Sequence, residues 1–264
     1  MKLSTDKMIA KKEGGIGWMI FNNPERRNAI SLAMREAMVE IFEDYQADDN
    51  VRVLVMRGAG DKAFVSGADI SEFKEKRNSA ESAAYYDSVS AKSREAMESF
   101  DKPIIAMIQG FCVGGGLATA LNADLRIAAE GSQFGIPAAK LGLGYGFGQL
   151  KNLADIVGPA NAKEIMFTGR RYDAEKALSM GLINALVPAA ELEATVREYA
   201  EEIAGNAPLT VKTAKATIGE LVKDADDRDV NKIEDMVKAC FDSADFKEGR
   251  EAFMEKRKPA FQGR

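Results

Sequence analysis

Residues 108–118 read Ile108-Gln109-Gly110-Phe111-Cys112-Val113-Gly114-Gly115-Gly116-Leu117-Ala118, and here an apolar strand passes through three consecutive glycines into a helix. Glycine has no Cβ, so a ligand can approach such a backbone closely. The helix that starts there directs unpaired amides and the positive end of its dipole outward. The stretch predicts an anion or oxyanion site, and the alternative is a tight packing turn between strand and helix.

A second stretch has the same design. Ala63-Phe64-Val65-Ser66-Gly67-Ala68-Asp69-Ile70 places small residues directly after a short apolar run. Both stretches therefore combine a buried strand with small residues at its exit.

Outward from these stretches, apolar strands alternate with helices. Strands are predicted at residues 16–21, 51–56, 104–108 and 125–128, with helices after Ser31 and over residues 79–100. Such alternation favours parallel pairing and an α/β architecture. Asp173 and Gly181 bracket a short helix, and residues 182–187 form the last predicted strand. Only helices are predicted after residue 191, so we expect an α/β core over residues 1–200 and a helical assembly region over 201–264.

The composition excludes several classes of protein. The net charge of -5 offers no broad basic field for nucleic acid, and no apolar run reaches the roughly 20 residues of a membrane span. The sequence starts without an apolar signal segment, so a cytoplasmic location is expected. Histidine is absent and there are two cysteines, which argues against a metal site and against a Ser-His-Asp relay.

Seven short motifs along the chain occur in one order and spacing, and with them the sequence resembles the enoyl-CoA hydratase/isomerase (crotonase) family over nearly its full length. The motifs are Asn22 to Pro24 with Arg27-Asn28-Ala29, Phe64 with Ser66 to Ile70, Lys102 to Ala106, Gly114 to Gly116, Phe134-Gly135, Phe167 to Arg170, and Phe253 to Pro259. Each motif is weak alone, and the series is specific.

The resemblance implies a spiral of ββα units with a C-terminal helical region, assembled as a homotrimer or a dimer of trimers. It implies an acyl-CoA thioester as substrate, with no cofactor beyond the CoA moiety. The main-chain N–H groups of Ala68 and Gly115 would form an oxyanion hole that stabilises the charge of a thioester enolate.

The resemblance also assigns residues to the CoA nucleotide. For the arginines and the lysine among them, simple solvation is an equally good interpretation of the sequence. The residues are Arg26, Arg27, Ala29, Ala68, Asp69, Ile70 and Lys256.

The sequence departs from the family at the groups that move protons. Hydratases of this family use two glutamates, and alignment places Ala118 and Ala138 at those positions. Tyr145 resembles a tyrosine of methylmalonyl-CoA decarboxylase, a member of the family, and could instead line the acyl pocket. Decarboxylation generates its own enolate, so it needs the oxyanion hole more than a strong base.

Three hypotheses follow for the function. The first is an enzyme that stabilises a thioester enolate, is not a standard hydratase and could be a decarboxylase with Tyr145 as proton donor. The second is a hydratase or isomerase with an atypical acid or base, and the third is a non-catalytic acyl-CoA-binding protein.

Overall fold

Two β-sheets organise the chain in the computed structural model, which describes residues 1–69, 72 and 79–264. The larger sheet has the order β1-β2-β3-β5-β7-β9 and the smaller has the order β4-β6-β8. Among the pairings between named strands in the described residues, only β1–β2 is antiparallel. The strands are β1 (Met8–Glu13), β2 (Ile16–Phe21), β3 (Val53–Gly58), β4 (Ala63–Val65), β5 (Ile104–Ile108), β6 (Phe111–Val113), β7 (Leu125–Ala129), β8 (Gln133–Gly135) and β9 (Ala185–Val187).

Helices follow most strands and fill the C-terminal part of the chain. They are α1 (Leu32–Ala47), α2 (Ala80–Glu98), α3 (Gly115–Ala120), α4 (Ala138–Leu141), α5 (Phe147–Thr168), α6 (Ala174–Ser179), α7 (Leu192–Gly205), α8 (Pro208–Leu221), α9 (Val230–Asp242) and α10 (Ala244–Glu255). Short 3₁₀ turns cover Pro24–Arg26 and Ala225–Asp227.

From β3 to β8 the chain alternates between the two sheets, and this alternation makes it coil as a spiral. β3, β5 and β7 lie in the larger sheet, and each is followed by a short strand of the smaller sheet, namely β4, β6 and β8. A helix follows the last two of these pairs, α3 after β6 and α4 after β8. The predicted spiral of ββα units with C-terminal helices is therefore confirmed.

Both faces of the larger sheet are covered by apolar side chains. On one face Trp18, Val55 and Met107 pack with Val196 and Ala200 of α7. The other face belongs to the main core, which also contains the buried face of α1 and the smaller sheet. Burial on both faces explains why these strands read as nearly continuous apolar runs in the sequence.

Local signals in the sequence set most boundaries, as predicted. Ser31 caps α1 by accepting a hydrogen bond from Met34 N at 3.3 Å. Asp173 caps α6 by accepting from Lys176 N at 2.8 Å, and Gly181 follows that helix with a φ of 75°. These caps satisfy main-chain donors at the helix start and reverse the chain at its end.

Some predicted boundaries were wrong by a few residues. The strand predicted at 51–56 starts at Val53, because Val51 N donates to Asp48 O in the preceding turn. The strand predicted at 182–187 starts at Ala185, because Leu182 N donates to Ala177 O and closes the end of α6. The helix predicted over 79–100 begins after its cap Ser79 and ends at Glu98. In each case a buried apolar residue beside the strand or helix was predicted as part of it but lies in the adjacent turn.

The boundary predicted at residue 200 falls inside α7, which runs from Leu192 to Gly205. Leu192, Val196 and Ala200 of this helix are buried against the larger sheet. The division into a core over 1–200 and an assembly region over 201–264 stays a prediction.

Candidate active site

Two main-chain amides lie close together, one after β4 and one after β6 of the smaller sheet. A Cβ built on Gly115 would lie 3.3 Å from Ala68 N, and a Cβ built on Gly67 would lie 3.8 Å from Gly115 N. Given standard backbone dimensions, the amide nitrogens of Ala68 and Gly115 are therefore at most about 6 Å apart. Two donors this close can both reach one oxygen atom at hydrogen-bond length. The structure thus brings the two predicted residues together.

The residues just before α1 pair with those on either side of Ala68 and so hold the Ala68 amide in place. Ile30 N donates to Gly67 O at 2.8 Å and Asp69 N donates to Ile30 O at 2.9 Å. This isolated parallel bridge uses the groups on either side of Ala68 and leaves the N–H of Ala68 unused within the described residues. Gly67 has a φ of 125°, which a residue with a side chain rarely adopts.

The Gly115 amide is fixed by close packing of α3 on β4. A Cβ on Gly116 would lie 1.9 Å from Val65 O, so a glycine is required for this approach. Gly114 N donates to Gly135 O at 2.8 Å and ties the start of α3 to β8. Gly115 is the first residue of α3, where an N–H has no acceptor inside its own helix. We therefore interpret the glycine run as serving both packing and an exposed donor.

A buried asparagine holds the segment before Ile30. Asn28 is fully buried, and its Nδ2 donates to Ala63 O at 2.7 Å and to Ala59 O at 3.0 Å. Its Oδ1 accepts from Asn23 N at 3.0 Å. Three hydrogen bonds from one side chain connect this segment to the strand that leads to Ala68.

Replacing Asn28 with aspartate is expected to lower the free energy of unfolding by about 3 kcal/mol. The carboxylate oxygen that replaces Nδ2 would face the carbonyl oxygens of Ala59 and Ala63 with no proton to donate to them. Urea unfolding measures the change. Asn231 is exposed on α9, so Asn231→Asp is the control and should change the value by less than about 0.5 kcal/mol. Equal stability of the two variants would contradict the role of Asn28.

A cavity of about 620 Å³ opens beside the amide of Gly115. Gly115, Ala118 and Thr119 of α3, with Asn122 just after it, recur at helical spacing and so lie on one side of this segment. The remaining walls come from α1, α2, α5, the turn after α3 and the chain after α8. These are Arg35, Met38, Ser90, Ser93, Arg94, Met97, Glu98, Leu121, Gly148, Gln149, Lys151, Asn152, Asp155, Val222 and Lys223.

The two positions that hold alanine instead of glutamate differ in their surroundings. Ala118 is half-buried and lines the cavity, whereas Ala138 is buried in the main core. Two carboxylates line the cavity among the described residues, Glu98 and Asp155. Asp155 binds Lys151 at 2.6 Å, whereas Glu98 has no ion pair within the described part of the chain. Glu98 was not predicted as a site residue from the sequence, although Arg94 and Glu98 are spaced by four residues and so share a helix face.

Tyr145 lies in the segment between α4 and α5. It is half-buried and packs against the main core, and it is not part of the cavity wall that contains Gly115. Burial raises the pKa of its phenol above the ordinary value, so the hydroxyl keeps its proton at neutral pH. Among the described residues the hydroxyl has no hydrogen-bond partner. It could therefore donate a proton.

The residues assigned to the CoA nucleotide fall into two groups. Arg26 and Asp69 form an ion pair at 3.6 Å, and Ser66 N donates to Arg27 O at 3.1 Å, so the segments around them lie side by side. The guanidinium of Arg27 stacks 5.0 Å from the ring centre of Phe111.

Ala29 lies next to this first group, because its N–H donates to Arg26 O at 3.1 Å, and it is buried beside the Ile30–Ala68 bridge. Lys256 ends α10, and no hydrogen bond or ion pair joins its side chain to residues 26–29 in the described ranges. Ile70 lies outside the described residues.

Within the described ranges, no three His, Cys, Asp or Glu side chains lie close enough together to hold a metal ion. The described helices likewise include none that is long and apolar enough to cross a membrane.

Comparison with known proteins gives a consistent result. The family model described as enoyl-CoA hydratase/isomerase matches residues 11–264. The chain is 35% identical to a short-chain-enoyl-CoA hydratase of Clostridium acetobutylicum over 97% of each chain. It is 34% identical to a crotonyl-CoA hydratase of Syntrophomonas wolfei, covering 98% of this chain and 99% of that one.

A similar solved structure is that of an enoyl-CoA hydratase/carnithine racemase from Magnetospirillum magneticum. The TM-score is 0.93 at 37% identity, and the match covers 99% of this chain and 97% of that chain.

Proposed function

Because the chain belongs to the enoyl-CoA hydratase/isomerase family, we propose that it transforms an acyl-CoA thioester whose carbonyl oxygen binds the N–H groups of Ala68 and Gly115. The observation that supports the proposal is the proximity of these two amides, since a Cβ built on Gly115 would lie only 3.3 Å from Ala68 N. Negative charge develops on that carbonyl oxygen when a nucleophile adds to the β-carbon of an enoyl thioester or when a proton leaves the α-carbon. Each preorganised donor contributes about 3–4 kcal/mol to stabilising such charge.

The names of the relatives favour hydration or isomerisation of an enoyl-CoA. The sequence analysis preferred a reaction other than standard hydration, and the relatives fit its second hypothesis better. Hydration needs a base, which neither Ala118 nor Ala138 supplies. Glu98 is the carboxylate of the cavity wall that has no ion pair in the described part of the chain, and we assign the base to it. It would accept a proton from water as the water oxygen bonds to the β-carbon, while the amides hold the enolate, and the protonated carboxyl would then give that proton to the α-carbon.

Replacing Glu98 with glutamine is expected to lower crotonyl-CoA hydration about tenfold or more, because the amide cannot accept the proton from water. Loss of absorbance of the enoyl thioester measures the rate. Glu95→Gln is the control, since Glu95 is exposed on the same helix and is not part of the cavity wall. Equal rates in the two variants would mean that another group activates water.

Decarboxylation is the second candidate, and Tyr145 is the observation that favours it. Loss of CO2 from a malonyl-type thioester leaves its electron pair on the α-carbon as an enolate, without a base. The protonated hydroxyl of Tyr145 would then donate its proton to that carbon. A malonyl thioester that loses CO2 at a rate reduced by Tyr145→Phe would support this reaction.

One set of assays separates the candidates. Crotonyl-CoA hydration that survives Tyr145→Phe supports the hydratase, and release of CO2 without hydration supports the decarboxylase. Tight binding of acyl-CoA with turnover of neither thioester would instead support the third hypothesis, a non-catalytic binder.

We propose further that Arg26, Arg27, Ala29, Asp69, Ile70 and Lys256 bind the CoA nucleotide, and that the chain forms a homotrimer or a dimer of trimers. Residues on the C-terminal helices support assembly, because α9 has no buried residue within the chain and exposes Val230 and Phe241. Phe253 and Met254 of α10 are about four-fifths exposed (82% and 80%). An apolar surface of this kind is typical of an interface between subunits. Lys256, at the end of α10, could then reach the nucleotide of a neighbouring subunit.

A further inference from the structure

Two arginines in the wall of the cavity lack a carboxylate partner. Arg35 of α1 is half-buried, and its Nε is fully buried with no hydrogen-bond partner. Arg94 of α2 makes no ion pair within the described ranges of the chain. Both residues line the same cavity as Gly115 and Ala118.

An unpartnered N–H on a permanently charged guanidinium is unfavourable when it is buried. Such groups are rare in folded proteins, and each one calls for an explanation such as a missing ligand. Only three buried polar side-chain atoms without a hydrogen-bond partner occur in the described structure, and Arg35 Nε is the one of the three that lies in the wall of the cavity beside Gly115.

The other charges of the cavity do not neutralise these arginines. Lys151 binds Asp155 at 2.6 Å, and Lys223 binds Glu220 at 2.6 Å. Glu98 is the remaining carboxylate of the wall and is exposed. The cavity therefore carries two unpaired guanidinium groups against one unpaired carboxylate, a net attraction for an anion.

The uncharged part of the wall suits a short alkyl chain that leads to such an anion. Met38, Met97 and Leu121 are buried apolar residues at the cavity. The hydroxyl of Ser90 already donates to Tyr86 O at 2.8 Å and that of Thr119 to Gly115 O at 2.9 Å. These hydroxyl protons are thus committed to the helix backbone, which leaves the arginines as the strongest free donors.

From these observations we infer that the acyl group of the substrate ends in a carboxylate, which Arg35 and Arg94 bind while Ala68 and Gly115 hold the thioester carbonyl. The substrate class is then the mono-CoA thioester of a dicarboxylic acid. This inference rests on the proposed function, since it assumes that the thioester lies at the Gly115 end of the cavity.

Equilibrium binding tests the inference without any turnover. Glutaryl-CoA and valeryl-CoA have five acyl carbons each and differ in a terminal carboxylate against a methyl group. Calorimetric titration of the full chain is expected to give glutaryl-CoA an affinity at least tenfold higher, because charge-assisted hydrogen bonds to guanidinium discriminate by about this factor or more.

Arg35→Gln is expected to reduce this preference to about threefold or less without weakening valeryl-CoA, whereas Arg35→Lys should retain part of it. Arg94→Gln, on an exposed helix position, should reduce it even if the Arg35 variants fold poorly. The control is Lys92→Gln, which removes one positive charge from the same helix away from the cavity and should leave the preference unchanged.

Equal affinity of the two thioesters in the unmodified protein would overturn the inference, as would an equal loss for both in the arginine variants. The second result would mean that the arginines bind CoA itself. A retained glutaryl preference without turnover of any thioester would contradict the proposed enzyme and leave the inference standing. Turnover without a preference for glutaryl-CoA would contradict the inference and leave the proposed enzyme standing.

Discussion

Replacing Gly115 with valine is expected to lower turnover of every thioester substrate by about 10²–10³-fold, the effect of removing one oxyanion donor. A Cβ at this position would already lie 3.3 Å from Ala68 N, so the larger side chain fills the space where the carbonyl oxygen must sit. The substitution blocks both donors while leaving their main-chain positions allowed, because Gly115 does not have a positive φ. Steady-state rates with enoyl and malonyl thioesters measure the effect.

Gly148→Ala is the matched control for this variant. Gly148 lines the same cavity, and a Cβ there would contact nothing within 4 Å. We expect turnover within about twofold of the unmodified protein, since nothing in the site would move. Gly115→Ala should lie between the two, because one methyl group intrudes less than the valine side chain. Unchanged turnover in Gly115→Val would refute the oxyanion hole and the proposed function with it.

Introducing glutamate at position 118 is expected to raise crotonyl-CoA hydration by about 10²-fold, within the 10²–10⁴-fold range of a well-placed acid or base. Ala118 lies one helical turn after Gly115 on the cavity side of α3, so a carboxylate there would face the same space. Ala118 is half-buried and the cavity offers room for the longer side chain. Ala138 is left unchanged, because it is buried in the main core and a charge there would be destabilising.

Ala118→Gln is the control, since glutamine has the shape of glutamate and cannot accept a proton. Hydration rates of the two variants are compared once both are shown to have the same melting temperature. A glutamate variant no faster than the glutamine variant would show that water does not approach the substrate from this side of α3.

The long buried strands β2, β3, β5 and β7 and the helix caps of this protein follow from local sequence. Ser31 and Asp173 were predicted as helix caps from residue type and position, and both caps occur, because a cap depends on atoms within three residues. The short strands β4, β6 and β8 were not assigned as a second sheet from sequence. Each is three residues long, which is too short for a periodic pattern to indicate which sheet it joins.

The residues of the candidate site also fall into those that the sequence indicates and those that only the fold reveals. The stretches around Ala68 and Gly115 were found from sequence because small residues after an apolar run constrain the backbone locally. Arg35, Arg94 and Glu98 were not found, since an arginine or glutamate on a helix is usually solvated. Their significance depends on α1, α2 and α3 enclosing one cavity. The place of Asn28 within a motif was noted, but its three hydrogen bonds needed the fold.

The sequence alone determined the family, the alternation of strands and helices, and the absence of glutamate at positions 118 and 138. These properties lie in residue types and in spacings along the chain. Only the tertiary structure shows that the amides of Ala68 and Gly115, 47 positions apart, lie close together, and that two arginines without an ion pair in the described residues line the cavity beside Gly115. Such proximity results from strand pairing and helix packing, which bring together segments that no local pattern connects.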